Sequence, residues 1–449
     1  MNVLLIVSDD LNDWVGCLGG NPQIKTPNID GFAASGAMVM SNAQCAASVS
    51  NPSRTAMLTG LRPGTTGIYG NEQNMTDSPR AVSVQTMPQY FSANGYYSLS
   101  RGKIFHKHIS ESMNEQGQWA FDEWTEGSGS FSTGTSQMLN GLPKRSGGST
   151  FDWGACKPSK ENTPDYTAAV WAAEKLAGGF DKPFFMALGF TRPHLPLHVP
   201  QEFFDLYPLE KVVVPRWRDD DLDDIVDRDG KKMFKPSGDF LLFKEYGVFK
   251  DATRAYMACV SYVDQCMGVV MDALNRSKYR DNTIVIFIGD NGFHMGEKLR
   301  YRKATLWEEA ARVPMIIKVP GVTKPIVCAR PVNLIDIYPT LVELCGLPAA
   351  SHVEGRSMAS LLRSPQMKWD HPSLTTMGYK NHSLRDERYR YNVYANGAEE
   401  LYDHNVDPME WNNLISDPKY KTVADKMRSL IPVENAEPVK PYKKGGGND

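Results

Sequence analysis

Two runs of apolar, largely β-branched residues constrain this chain most: residues 3–7 (VLLIV) and 283–288 (TIVIFI). Neither run alternates apolar with polar residues, as a strand with one wet face would. Such continuity marks strands covered on both faces, the situation of a parallel sheet between helical layers. Residues 184–189 (FFMALG) repeat the pattern, and 96–99 and 315–319 read as further strands. Helical spacing falls between them, at 29–36, 55–60, 86–93, 252–274 and 334–344. Strands alternating with helices predict an α/β fold with a large mixed, mostly parallel sheet sandwiched by helices.

The 449 residues suffice for one large catalytic domain plus an appendage. After about residue 350 the composition shifts, so the expected division is 1–350 and 351–449. Residues 374–379, 383–394 and 400–403 read as antiparallel strands with a turn at Asn396-Gly397. A closing helix is expected over 417–430, with Asp417 as N-cap and Pro418 at the first helical position. The second unit is therefore read as a small C-terminal α+β antiparallel subdomain.

Lys+Arg is 49 and Asp+Glu 52, a net charge of -3 that excludes a generally basic nucleic-acid binder. No apolar run reaches the roughly 18 residues of a membrane span. Seven cysteines, an odd count without a CxxC pair, argue against a zinc site or disulfide framework. At most one incidental disulfide is expected. The Gly/Ser/Thr-rich stretch 127–150 reads as a mobile loop or surface insertion, and the tail 443–449 as floppy. The acidic stretch 219–229 fails the calcium-loop pattern, because Ile225 falls on the first ligand position; a solvated face is expected.

The chemistry gathers where strands end. Ser8-Asp9-Asp10 follows the first strand, and Gly289-Asp290-Asn291-Gly292 follows TIVIFI. In open α/β sheets, sites form beyond the carboxyl ends of strands. Asp9, Asp10, Asp290 and Asn291 together would offer hard oxygen ligands to Ca²⁺ or Mg²⁺. Two unrelated turns are the competing reading, since Asp-Asn-Gly is turn chemistry.

Between these ends lies Ser50-Asn51-Pro52-Ser53-Arg54, followed by Leu58-Thr59-Gly60. The pattern resembles the maturation signature of the type I, formylglycine-dependent sulfatases of the alkaline phosphatase superfamily. Further blocks resemble the iduronate-2-sulfatase branch: Gln85–Phe91, Gly102-Lys103-Ile104-Phe105-His106, Arg192-Pro193-His194-Leu195-Pro196, and Gly292–Glu297 leading to Lys303. The ending Glu400-Leu401-Tyr402-Asp403 through Leu414 resembles that family's C-terminal subdomain, so the likeness spans nearly the whole chain.

The resemblance implies sulfate-ester hydrolysis by a Cα-formylglycine made from Ser50. As a geminal diol, that residue can accept the sulfuryl group and then expel sulfate through its second hydroxyl. Ser50 would join Asp9, Asp10, Asp290 and Asn291 around the cation, here Ca²⁺ with Mg²⁺ as the alternative. Arg54 would steady the modified residue and the carboxylates. Lys103 and Lys303 would stabilise sulfate charge, His106 would help collapse the sulfated intermediate, and His194 would be the general acid. Lys103, His194, Lys303 and His294 are the expected substrate contacts, with His294 touching the sugar or sharing proton delivery. His198 and His382 are candidates for the rim of the substrate mouth. Cys45 is rejected as the modified residue, because Ala47 stands where the signature has Pro.

The branch points to a sulfated saccharide: 2-O-sulfated uronate of a glycosaminoglycan, or sugars of algal ulvan or carrageenan. A serine at position 50, where the commoner residue is Cys, implies a radical-SAM, serine-type maturase as a transient partner. A serine substituted for a native Cys would instead give an inactive trap. Export is expected, periplasmic or extracellular with a leader removed, and neither nucleic acid nor membrane is an expected partner. Two rivals stay open: a phosphatase or phosphodiesterase of the same superfamily, and an inactive sulfated-glycan binding protein.

Overall fold

A computed structural model describes residues 1–106, 120–125, 127–143, 150–321 and 324–441. Eight strands form the main sheet. They are β1 (Asn2–Asp9), β2 (Met38–Met40), β3 (Tyr97–Gly102), β4 (Glu123–Thr125), β5 (Phe184–Pro193), β6 (Thr283–Gly289), β7 (Met315–Lys318) and β8 (Ile326–Cys328). Their order is β8-β2-β7-β6-β1-β5-β3-β4. β7 alone runs against its neighbours β6 and β2; every other pairing is parallel.

β1 shows why the strands are apolar between their ends. Leu4 and Ile6 enter a core shared with α1 (Pro27–Ala34), while Val3, Leu5 and Val7 enter another shared with α2 (Ser50–Thr59) and α3 (Met87–Ala93). The first core also takes α4 (Pro164–Gly178) and α5 (Phe249–Arg276), and the second α6 (Ile337–Leu344). With period-two alternation and both faces covered, no position of β1 can be polar without cost. α5 has the length and apolar character to cross a membrane, but most of it is buried here as a core helix.

The C-terminal sheet is antiparallel, in the order β9 (Ser373–Thr376), β10 (His382–Arg385), β11 (Tyr389–Val393) and β12 (Glu399–Asp403). The expected single strand over 383–394 is two strands. Asp386 breaks it, its Oδ1 accepting the N–H groups of Arg388 (2.8 Å) and Tyr389 (2.6 Å) in a side-chain-closed turn. α7 (Lys421–Ser429) closes this core through Ala424 and Met427, but it starts later than expected: Asp417 accepts the Lys419 N–H (2.9 Å) and caps a separate 3-10 turn over Pro418–Tyr420, not the α-helix.

The small sheet braces the segment that carries Ser50. Thr375 Oγ1 donates to the Cys45 carbonyl (2.7 Å), and Thr376 N donates to the Ala46 carbonyl (3.0 Å). Behind it, fully buried Arg390 pairs with Glu308 and, at 2.6 Å, with Glu410. His404 completes this cluster at 2.9 Å from Glu410.

Other expectations fare unevenly. All seven cysteines are free thiols. The described part of the Gly/Ser-rich stretch, 127–143, holds no helix or strand. Residues 144–149 and the tail 443–449 lie outside the described residues. The acidic stretch is mostly exposed, but Asp221 is 1 % exposed and paired to Lys298 at 2.7 Å, so it belongs to the interior.

Candidate active site

The parallel register builds the site. Ser8 of β1 faces Gly289 of β6, so Asp9 and Asp290 leave the sheet side by side. Successive strand side chains point to opposite faces, which would part Asp9 from Asp10. Asp10 avoids this by turning left-handed (φ 62°), a conformation that Asp tolerates better than most residues. Its N–H then donates to Asp290 Oδ1 at 3.0 Å. Oxygens of Asp9, Asp10 and Asp290 lie within 4.8 Å of one another, all three residues buried.

Ser50 opens α2, five residues earlier than the expected start at 55. Pro52 is compatible with this, because the first turn of a helix has no intrahelical partner for its N–H groups. Every residue of α2 is buried. The Ser50 hydroxyl lies 3.1 Å from Asp9 Oδ1, 3.0 Å from Asn291 Oδ1 and 2.8 Å from Lys303 Nζ. Asn291 Nδ2 donates to Asp10 Oδ1 at 2.9 Å, which turns its Oδ1 toward Ser50.

Three cations balance the three carboxylates. Arg54 Nε donates to Asp290 Oδ2 (2.7 Å), its Nη2 lies 3.5 Å from Asp9, and its Nη1 donates to the Lys103 and Ile104 carbonyls. Lys103 pairs with Asp9, and Lys303 with Asp10. Burial would raise the Asp9 pKa, but Lys103, His194, Arg54 and Lys303 together hold it well below the usual carboxylate range. Burial likewise works against charge on Lys303, and Asp10, Asp9 and Asp290 more than restore it. Asp290 is pushed up by burial, with Arg54 opposing.

Both lysines rest on unusual backbone. Gly102 faces Gly189 across β3 and β5; a Cβ on Gly189 would lie 2.1 Å from the Lys103 carbonyl oxygen. Arg302 (φ 73°) and Ala304 (φ 65°) are left-handed on either side of Lys303. Non-glycine residues adopt that region at a cost, and such outliers gather where a side chain must be aimed.

His194 sits at the edge of this cluster, its Nε2 3.9 Å from Asp10 Oδ2. Its Nδ1 lies 2.7 Å from the Leu195 carbonyl, which can only accept, so Nδ1 carries a hydrogen and Nε2 is the atom free to exchange a proton. Arg192 fixes the turn by donating to the carbonyls of His194 and His198, both at 2.9 Å. Burial, reinforced by Lys103, lowers the His106 pKa to about 3, and its buried Nδ1 has no partner among the described residues.

The remaining histidines depart from expectation. His294 is fully buried and bonded through Nε2 to Thr305 Oγ1 (2.7 Å), so it presents no surface to a sugar. His198 is bound to Asp152 (3.0 Å) and His382 to Thr376 (3.1 Å), both buried, and neither forms an open rim. Two further residues support the site without having been assigned a role. Ser53 Oγ donates to the Asp290 carbonyl (2.6 Å), and Tyr256 of α5 donates to the Asp10 carbonyl (2.7 Å) while accepting the Asn12 N–H (3.0 Å). Ser53 lay inside the signature; Tyr256 fell within the helix expected over 252–274, with nothing local to mark its role.

The model of the family described as "Sulfatase" matches residues 1–347, and that of the N-sulphoglucosamine sulphohydrolase C-terminal region matches 296–436. The chain belongs to the sulfatase family. A sulfatase of Formosa agariphila is 38% identical over 97% of this chain and 87% of its own length. The iduronate 2-sulfatase of Mus musculus is 28% identical over 95% and 93%. In fold the chain is similar to a phosphonate monoester hydrolase of Agrobacterium radiobacter, with a TM-score of 0.75, 20% identity, and 96% and 95% of the two chains covered. The large mixed sheet and small antiparallel sheet are those of an alkaline phosphatase-like sulfatase. This sulfatase is a sulfuric ester hydrolase. Three clustered carboxylates, an amide oxygen and a hydroxyl are the hard donor set that suits the divalent cation of this family.

Proposed function

We propose that this sulfatase removes sulfate esters from a saccharide, with 2-O-sulfated uronate of a glycosaminoglycan as the first substrate to test. Its nucleophile is a Cα-formylglycine formed at position 50 by a serine-type maturase. Asp9, Asp10, Asp290 and Asn291, with residue 50, would hold Ca²⁺, or Mg²⁺ in its place. When bound, the cation supplies Lewis-acid charge to a sulfate oxygen and acidifies the residue-50 hydroxyl. The protein acts in the periplasm or outside the cell. The blocks resembling the iduronate-2-sulfatase branch support the choice of sugar, as does the likeness to the Mus musculus iduronate 2-sulfatase.

One observation carries the catalytic part. The Ser50 oxygen stands among Asp9, Asn291 and Lys303, each within 3.1 Å. Lys303 donates to that oxygen and lowers the cost of negative charge on it. Lys103 would place a second positive charge beside the sulfate, in a buried setting where such charges act strongly. Half-buried His106 is held neutral beside them, its Nδ1 without a partner among the described residues. Nε2 of His194, whose side chain is 23% exposed, is positioned to give a proton to the leaving alcohol.

The matured protein should release sulfate from a 2-O-sulfated uronate disaccharide far faster than phosphate from 4-nitrophenyl phosphate. Faster phosphate release would favour the phosphatase reading, to which the phosphonate hydrolase fold gives room.

A further inference from the structure

One hydroxyl of α5 holds the turn that aims Asp10. Tyr256 is fully buried, its ring stacked on Phe293 (centroids 5.5 Å apart) and edge-on to Trp14 (5.4 Å). Its hydroxyl donates to the Asp10 carbonyl (2.7 Å) and accepts the Asn12 N–H (3.0 Å), so it clamps the two peptides that flank Leu11. The Leu11 carbonyl lies so close to β6 that it leaves no room for a Cβ on Gly289. Asn12, also fully buried, donates from Nδ2 to the Phe293 carbonyl (2.9 Å) and accepts the Trp14 N–H at Oδ1 (3.1 Å). Phe293 stands two residues after Asn291. The ends of β1 and β6 are thus tied together by groups other than their carboxylates.

A left-handed aspartate is costly to hold, and Asp10 needs that conformation for its carboxylate to join those of Asp9 and Asp290. Asn291 and Lys303 bond only to the carboxylate. The backbone is held by Asp290 at the N–H and by Tyr256 at the carbonyl. With phenylalanine at 256, a buried carbonyl and a buried N–H would both lose their partner, and the turn would shift to satisfy them. Removing a residue that orients a metal ligand in this way weakens metal binding about 10- to 100-fold.

We propose that Tyr256, with Asn12, is a positioning residue for Asp10: it sets the affinity of the site for its divalent cation through the Asp10 backbone rather than as a ligand. This rests on the reading of Asp9, Asp10, Asp290 and Asn291 as the groups that hold the cation.

Titration calorimetry of CaCl2, and of MgCl2, into the chelator-treated full chain tests this. In Tyr256→Phe the dissociation constant should rise about tenfold or more. Tyr262→Phe is the control. Tyr262 is fully buried in the same helix, and its hydroxyl likewise accepts a backbone N–H, that of Tyr166 (3.1 Å), and pairs with Thr163 Oγ1 (2.7 Å), reaching none of the carboxylate cluster. This variant should lower the melting temperature of the cation-free protein comparably and leave the dissociation constant unchanged. Should Tyr256→Phe fail to fold, Asn12→Ala, which cuts the tie to Phe293, should raise the constant in its place. An unchanged constant in folded Tyr256→Phe, or in the Asn12→Ala that replaces it, would overturn the proposal. Equal rises in both tyrosine variants would overturn it too, since general loosening would then suffice. Wild type that takes up neither ion would overturn the cation reading itself, and this proposal with it.

Discussion

Removing Arg54 exposes how much of the site's order depends on charge balance. Arg54→Met keeps the volume and the apolar stem but deletes the bond to Asp290 at 2.7 Å, the approach to Asp9 at 3.5 Å and both carbonyl contacts. Asp9 and Asp290 are 0% and 1% exposed, so water cannot replace the guanidinium. Breaking a buried pair from one side costs about 3–5 kcal/mol, most of it the penalty of the orphaned carboxylate. With a urea slope of roughly 3 kcal/mol/M for a large domain, the midpoint should fall by roughly 1–1.7 M. Chelator-treated protein followed by tyrosine and tryptophan fluorescence gives the midpoint and slope together. Arg54→Lys should lose part of this, since one ammonium cannot span Asp290 and two carbonyls. An unchanged midpoint at unchanged slope in Arg54→Met would refute the reasoning, because the guanidinium would then hold nothing together.

Other expectations follow from single contacts. His194→Ala should lower kcat/KM on a sulfated saccharide about 10²–10⁴-fold, and far less on 4-nitrophenyl sulfate, whose leaving group needs no proton; equal losses on both would deny it the acid's role. Gly189→Ala would put a methyl 2.1 Å from the Lys103 carbonyl, so backbone must move; a melting temperature and sulfatase rate matching wild type would contradict that close approach. Asp264 accepts the Ile29 N–H (2.7 Å) and the Asn28 side-chain amide (2.7 Å), and burial raises its pKa from 3.8 to about 6. Since the folded state binds this proton more tightly, stability should fall by roughly 3 kcal/mol as pH rises from about 4 to about 6. Urea midpoints of wild type and Asp264→Asn across that range should show the slope in wild type and a flatter line in the variant; parallel lines would remove Asp264 as its source.

The sheet was legible because its physics is written in single residues. A strand covered on both faces is apolar along its centre, and residues 3–7 and 284–288 are. The short strands β2 and β8 and the reversed β7 direction were not, since three or four residues carry no pattern that tells parallel from antiparallel. The helix expected over 55–60 starts at Ser50, since the polar residues 50–54 carry no apolar spacing that marks a first turn. Site residues named by the signature and strand ends came together, because register alone brings Asp9 beside Asp290. His294 shared the motif but not the surface: its place next to Thr305 depends on the turn around Lys303, which no local pattern announces.

The most direct test of the central claim joins two readings on one sample: the mass of the peptide containing residue 50, and sulfate release from 2-O-sulfated uronate disaccharide. After co-expression with a serine-type maturase, a fraction of Ser50 should lose two hydrogens, and activity across preparations should rise in proportion to that fraction. Sulfate release that is equal in unmodified protein, or absent from fully modified protein on every sulfated saccharide tried, would contradict the account.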